Sequence, residues 1–130
     1  MKILVGYDDT EVSWEALVVA IVHAKVFGGK IHIFTSLEGE SGISKMDLVA
    51  AEKSLQRAKE HAAANKVECE TKLSETMLWP GEDIIQYAKE NNIDQIVVGI
   101  KRKSKLGKLV FGSTAQYVIL ESPCPVLTVK

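Results

Sequence analysis

Cysteine is scarce: Cys69 and Cys124 are the only two, far apart, with no CxxC pair and no histidine close to either. This argues against both a disulfide framework and a zinc site and fits a reducing compartment, so the expected location is the cytoplasm. Net charge is almost absent too. Sixteen Lys plus Arg stand against seventeen Asp plus Glu for a formal charge of −1, which excludes a uniformly basic nucleic-acid coat and an acidic disordered tail. Long apolar runs are missing as well. The run after Lys2 stops at Asp8, too short for the core of a signal peptide, and Ala16 to Val22 is far below membrane-spanning length, so no membrane association is expected. Internal repeats and low-complexity linkers are lacking. What remains is a chain of 130 residues, 46% hydrophobic and 25% charged, which predicts one domain over residues 1–130 with its own core and no need of a metal or disulfide staple.

Ile3-Leu4-Val5-Gly6-Tyr7 is a continuous apolar run ending abruptly in Asp8-Asp9-Thr10, the mark of a strand buried on both faces. From Ser13, residues Ala16, Leu17, Ala20, Ile21 and Ala24 recur at helical spacing up to Gly28-Gly29. Lys30 to Ser36 reads as the second strand, Leu37 to Ser44 as a loop, and about Lys45 to Asn65 as an amphipathic helix. Val67 to Leu73 alternates apolar and polar, predicting a half-covered strand near a sheet edge. Pro80-Gly81-Glu82-Asp83 opens a helix through Asn91, since proline and acidic residues suit a first turn. Ile93 to Gly99 predicts another buried strand, Ser113 to Glu121 a short helix, and Val126 to Val129 the last strand, bounded by Pro123 and Pro125.

The order βαβαβαβαβ with right-handed crossovers gives an α/β domain, a five-stranded parallel sheet with helices on both faces, and the arrangement expected is the doubly wound order 3-2-1-4-5. In that order the loops after the first and fourth strands leave in opposite directions and open a crevice at the carboxyl edge. Those loops begin at Asp8 and Gly99.

Between Ile100 and Gly112 lie Lys101, Arg102, Lys103, Lys105 and Lys108 with no acidic residue, which leaves eleven positive against seventeen negative charges elsewhere. Such a concentration attracts anions or an acidic partner, or is simply a solvated loop. The loop ends in Gly112-Ser113-Thr114 where a helix begins, and a helix N-terminus offers unpaired N–H groups and a favourable dipole to an anion. Alternatively, Ser113 is only the cap of its own helix.

Three fragments now bear a resemblance. Ile3 to Thr10 with Ser13 and Ala16-Leu17, then Val97-Val98-Gly99 through Phe111-Gly112-Ser113-Thr114-Ala115-Gln116, then Cys124-Pro125-Val126-Leu127-Thr128-Val129 together resemble the universal stress protein family along the whole chain. The resemblance implies an adenine nucleotide alpha hydrolase-like, Rossmann-like fold and a cytoplasmic sensor or switch with little or no turnover. Members that hold ATP or AMP carry Gly-x-x-Gly, nine residues, then Gly-Ser or Gly-Thr. Gly99 matches the first glycine and Gly112-Ser113 the final pair, but Arg102 stands in the place of the second glycine. Arg102 either blocks the groove or binds a phosphate through its forked guanidinium.

The same resemblance puts Asp8 near the ribose or a phosphate-borne Mg²⁺, with an Asx turn as its plainer role. It puts the backbone of Ser36 against the adenine, and the backbones of Val98 and Thr114 beside the matched glycines. No metal is expected in the protein alone; any Mg²⁺ arrives on the nucleotide near Asp8. It also implies a homodimer through Val126 to Val129, an apolar edge that self-pairing would cover. The competing expectation is a dimeric interaction module of the same fold that ignores nucleotide because Arg102 closes the site.

Other chemistries fit less well. His23, His32 and His61 fall on separate elements, so no general base is nominated. A phosphoryl-accepting receiver domain needs an aspartate after the third strand, where Ser74-Glu75-Thr76 stand. Gly6-Tyr7-Asp8 is no dinucleotide fingerprint, and Gly107-Lys108-Leu109 lacks the hydroxyl of a P-loop. Nucleic-acid binding by the basic loop is disfavoured because Phe111 is the one ring nearby. Trp14 and Trp79 are expected to pack.

Overall fold

Strands and helices alternate from end to end: β1 (Lys2–Gly6), α1 (Glu11–Phe27), β2 (Lys30–Ser36), α2 (Lys45–Ala64), β3 (Cys69–Ser74), α3 (Pro80–Glu90), β4 (Gln95–Gly99), α4 (Ser113–Glu121) and β5 (Val126–Val129). The structure, a computed structural model, describes residues 1–37, 44–76, 78–100 and 112–130. All five strands run parallel in the order β3-β2-β1-β4-β5, the order expected from the sequence.

Local chemistry sets the boundaries. α1 begins at Glu11, two residues before the apolar periodicity starts, because the Thr10 hydroxyl accepts the Ser13 amide at 3.3 Å and caps the helix. It ends at Gly28, whose φ of 67° and ψ of 43° lie in the left-handed region. β3 starts at Cys69 rather than Val67, since the Val67 amide still bonds the Ala62 carbonyl at the end of α2. β4 starts at Gln95, two residues later than expected, although the Asp94 amide already donates to Lys2 O at 2.8 Å.

The sheet has two apolar faces. On one, Ile3, Val5, Ile31, Ile33 and Val97 pack against Ala16, Leu17 and Ala20 of α1 and Leu55 and Ala58 of α2. On the other, Leu4, Phe34, Ile96 and Val98 pack against Ile84, Ile85 and Ala88 of α3 and Val118 of α4. β1 and β4 are therefore apolar through their buried centres and β2 is interrupted by His32, whereas β3 alternates, with Glu70 and Lys72 exposed. Beneath α3, the buried His32 meets the Tyr87 hydroxyl at 2.8 Å and Glu70 at 3.4 Å, and its buried Nε2 has no hydrogen-bond partner. Among the described residues no helix is long and apolar enough to cross a membrane.

Candidate functional site

The carboxyl ends of β1, β2 and β4 surround a cleft of about 510 Å³, within the size range of small-molecule sites. It lies where strand order reverses between β1 and β4, the place a doubly wound sheet opens. Asp8, Ser36, Val98, Gly99, Gly112, Ser113 and Thr114 all line it. Seven of the eight residues singled out in the sequence thus converge from four separate parts of the chain. The eighth, Arg102, lies outside the described residues, as does the rest of the basic loop.

The first wall grows from the turn after β1. Thr35 Oγ1 donates to the Tyr7 carbonyl at 2.8 Å and the Tyr7 amide donates to Phe34 O at 2.8 Å, so the end of β1 is tied to β2. Asp8 then reverses the chain as an Asx turn: its Oδ1 accepts from the Thr10 amide at 3.1 Å and from the Thr10 hydroxyl. The other carboxylate oxygen has no hydrogen-bond partner among the described residues. Asp9 takes a positive φ of 63° and accepts from Tyr7 at 3.2 Å and Arg57 at 3.2 Å. Burial, reinforced by Asp9, raises the Tyr7 phenol above its ordinary value.

The opposite wall is the start of α4. Gly112, with φ of −68° and ψ of 156°, is the cap residue and Ser113 the first helical one. The structure therefore overturns the alternative in which Ser113 caps its own helix. Glycine has no side chain to satisfy the first-turn amides, and no side-chain cap bond is made there.

Gly99 forms part of the floor for a reason the motif did not reveal. A Cβ there would lie 2.8 Å from the Val12 carbonyl oxygen and 2.9 Å from both Val12 methyls, so α1 sits directly on this glycine. The far end of the cleft is apolar, lined by Phe34, Leu37, Pro80 and Ile84 beside Ser36. Sequence reading missed this end because β2 and α3 supply it together. Trp79 packs on Tyr117 at a ring separation of 4.9 Å, as a packing residue should.

Asp8 is the one acidic residue lining the cleft among the described residues, and these contain no cluster of three or more His, Cys, Asp or Glu that could hold a metal. A single carboxylate suits Mg²⁺ only when phosphates bring the other ligands. The three histidines stand elsewhere: His23 meets Gln95 at 3.2 Å, His61 stacks on Trp14 at 4.8 Å, and His32 lies under Tyr87.

The family model described as "Universal stress protein family" matches residues 1–130. The chain belongs to the universal stress protein family. Universal stress protein MJ0531 of Methanocaldococcus jannaschii is 31% identical over 140 residues, covering 99% of this chain and 81% of that protein. A universal stress protein of Archaeoglobus fulgidus, 31% identical, superposes with a TM-score of 0.92 over 100% of this chain and 98% of the other. Another Archaeoglobus fulgidus structure of the family, in complex with dAMP, is 28% identical with a TM-score of 0.86 over 100% of this chain and 98% of that one. The universal stress protein fold and its strand order are therefore those read from the sequence.

Proposed function

We propose that this universal stress protein binds an adenine nucleotide, AMP or ATP, in the cleft between β1, β2, β4 and α4. The observation that carries the reading is the convergence of Asp8, Ser36, Val98, Gly99, Gly112, Ser113 and Thr114 on one cavity of about 510 Å³ at the switch point of the sheet. The apolar end beside Ser36 takes the base and Asp8 faces the ribose. The backbones of Val98 and Gly99 and the start of α4 take the phosphates, where oriented amides and the helix dipole favour negative charge. The dAMP complex of a relative supports an adenine ligand. Any Mg²⁺ enters with the phosphates, next to the remaining Asp8 oxygen.

The protein works as a cytoplasmic sensor or switch rather than as a fast enzyme, a setting with which the free cysteines Cys69 and Cys124 accord. It acts as a homodimer through β5. That strand pairs only with β4 among the described residues and leaves Val126, Leu127 and Val129 half-buried at the sheet edge. The test is calorimetric titration of the nucleotide-stripped protein with ATP, ADP, AMP and GTP, with and without Mg²⁺. Saturable, adenine-selective binding is expected. Flat traces at millimolar ligand overturn the reading in favour of an interaction module whose site Arg102 closes.

A further inference from the structure

Ser36 reaches the cleft from the last position of β2, and its hydroxyl is already committed. Oγ donates to Asp83 Oδ2 at 2.7 Å, and Asp83, on the first turn of α3, is only 5% exposed. A serine hydroxyl has one proton and two lone pairs, and a carboxylate only accepts. With that proton given to Asp83, Ser36 can offer the cleft lone pairs alone.

Both partners are held in place. The Ser36 backbone is in register with Ser74 of β3, and the next amide, Leu37, donates to Ser74 O at 2.9 Å. The Asp83 amide donates to Trp79 O at 3.1 Å, and the first turn of a helix favours a negative charge. Gly81 presses that turn against α4: a Cβ on it would meet Tyr117 at 3.1 Å. These contacts fix the two backbones from which the side chains meet.

We infer that the Ser36–Asp83 pair is a fixed hydrogen-bond acceptor that makes the cleft select a base carrying an exocyclic amino group over one carrying a carbonyl at the same place, adenine over hypoxanthine. The inference rests on the nucleotide reading of the cleft. Ser36 makes the contact and Asp83 is a positioning residue, acting by fixing the direction of the Ser36 proton. A carbonyl at that point would set lone pair against lone pair, and an unsatisfied buried polar contact is what gives such sites their selectivity.

AMP and IMP, which exchange an amino group for a carbonyl at one ring carbon and a bare ring nitrogen for an N–H beside it, are titrated calorimetrically into the native protein, Ser36→Ala and Asp83→Ala. The native protein is expected to prefer AMP by roughly ten- to hundredfold. Ser36→Ala removes the acceptor, and Asp83→Ala frees the serine proton to rotate and donate, so both bring the ratio towards one. A misfolded fraction lowers the stoichiometry for both ligands alike and leaves the ratio of dissociation constants intact. A native protein that binds both nucleotides equally, or an AMP preference unchanged in either variant, overturns the inference. Native protein that binds neither nucleotide overturns the nucleotide reading itself, and this inference with it.

Discussion

Replacing Gly99 by alanine tests whether that glycine serves packing. The added Cβ would stand 2.8 Å from the Val12 carbonyl oxygen and 2.9 Å from both Val12 methyls. The carbonyl belongs to the first turn of α1, which buried Ala16, Leu17 and Ala20 pin to the sheet, so the helix has to lift as a body. Overpacking of a fitted core typically costs about 1–3 kcal/mol, and a contact that includes backbone belongs in the upper half, about 2–3 kcal/mol. For a domain of this size that lowers Tm by roughly 6–12 °C. Urea unfolding followed by far-ultraviolet circular dichroism measures it. Val12→Ala removes the methyls but leaves the carbonyl, so the double variant should recover about 1 kcal/mol of the loss, a coupling that distant sites would not show. A Gly99→Ala protein within about 0.5 kcal/mol of native, or strict additivity with Val12→Ala, refutes the argument. The expected loss also means that weak nucleotide binding by a Gly99 variant is interpretable only beside its stability.

Thr10→Ala removes the cap of α1 and a donor to Asp8, and urea unfolding should show a loss of about 1 kcal/mol that Thr10→Ser largely restores; an unchanged midpoint contradicts the capping role. His32 gives a pH dependence. Burial, helped by Lys30 and Lys2 and opposed by Glu70, holds its imidazole below the ordinary 6.5. On acidification the unfolded chain therefore takes up this proton first. Stability conferred by the neutral ring is complete above about pH 6.5, falls below it, and levels off once the folded ring protonates. Thermal melts between about pH 7.5 and 5.5 should show a decline in the native protein that His32→Asn lacks, and parallel profiles would exclude His32 as the cause.

Much of the fold was legible because its signals are local. The uninterrupted apolar run at Ile3 to Tyr7, the periodicity ending at Gly28, and the proline-bounded Val126 to Val129 each report on their own element, and the order of elements limits the topology. Ends shifted where a single hydrogen bond decided them, as at Thr10, whose cap brings α1 forward to Glu11. The cleft residues were legible for different reasons: Asp8 and Gly99 stand where apolar runs stop and Gly112-Ser113-Thr114 where a helix begins, whereas Ser36 and Val98 were named only through the resemblance to the family. What escaped were the individual side-chain contacts between residues distant in sequence. Nothing near Gly99 announces Val12 above it, and nothing near Ser36 announces Asp83, which is forty-seven positions away. His32 reads as an ordinary polar residue in a strand until Tyr87 and Glu70 close over it.

The two margins of the sheet are finished differently. β3 presents Glu70 and Lys72 to solvent, with Lys30 of β2 bridged to Glu70 at 2.7 Å, while β5 ends in Val126, Leu127 and Val129. A strand arriving at the β3 margin would have to settle beside fixed charges, whereas one arriving at β5 meets mostly hydrocarbon. In the β5 homodimer proposed above, growth would be open on one side only. Two copies that join β5 to β5 each turn a charged margin outwards, so assembly by this route terminates at a pair and cannot run on into a filament.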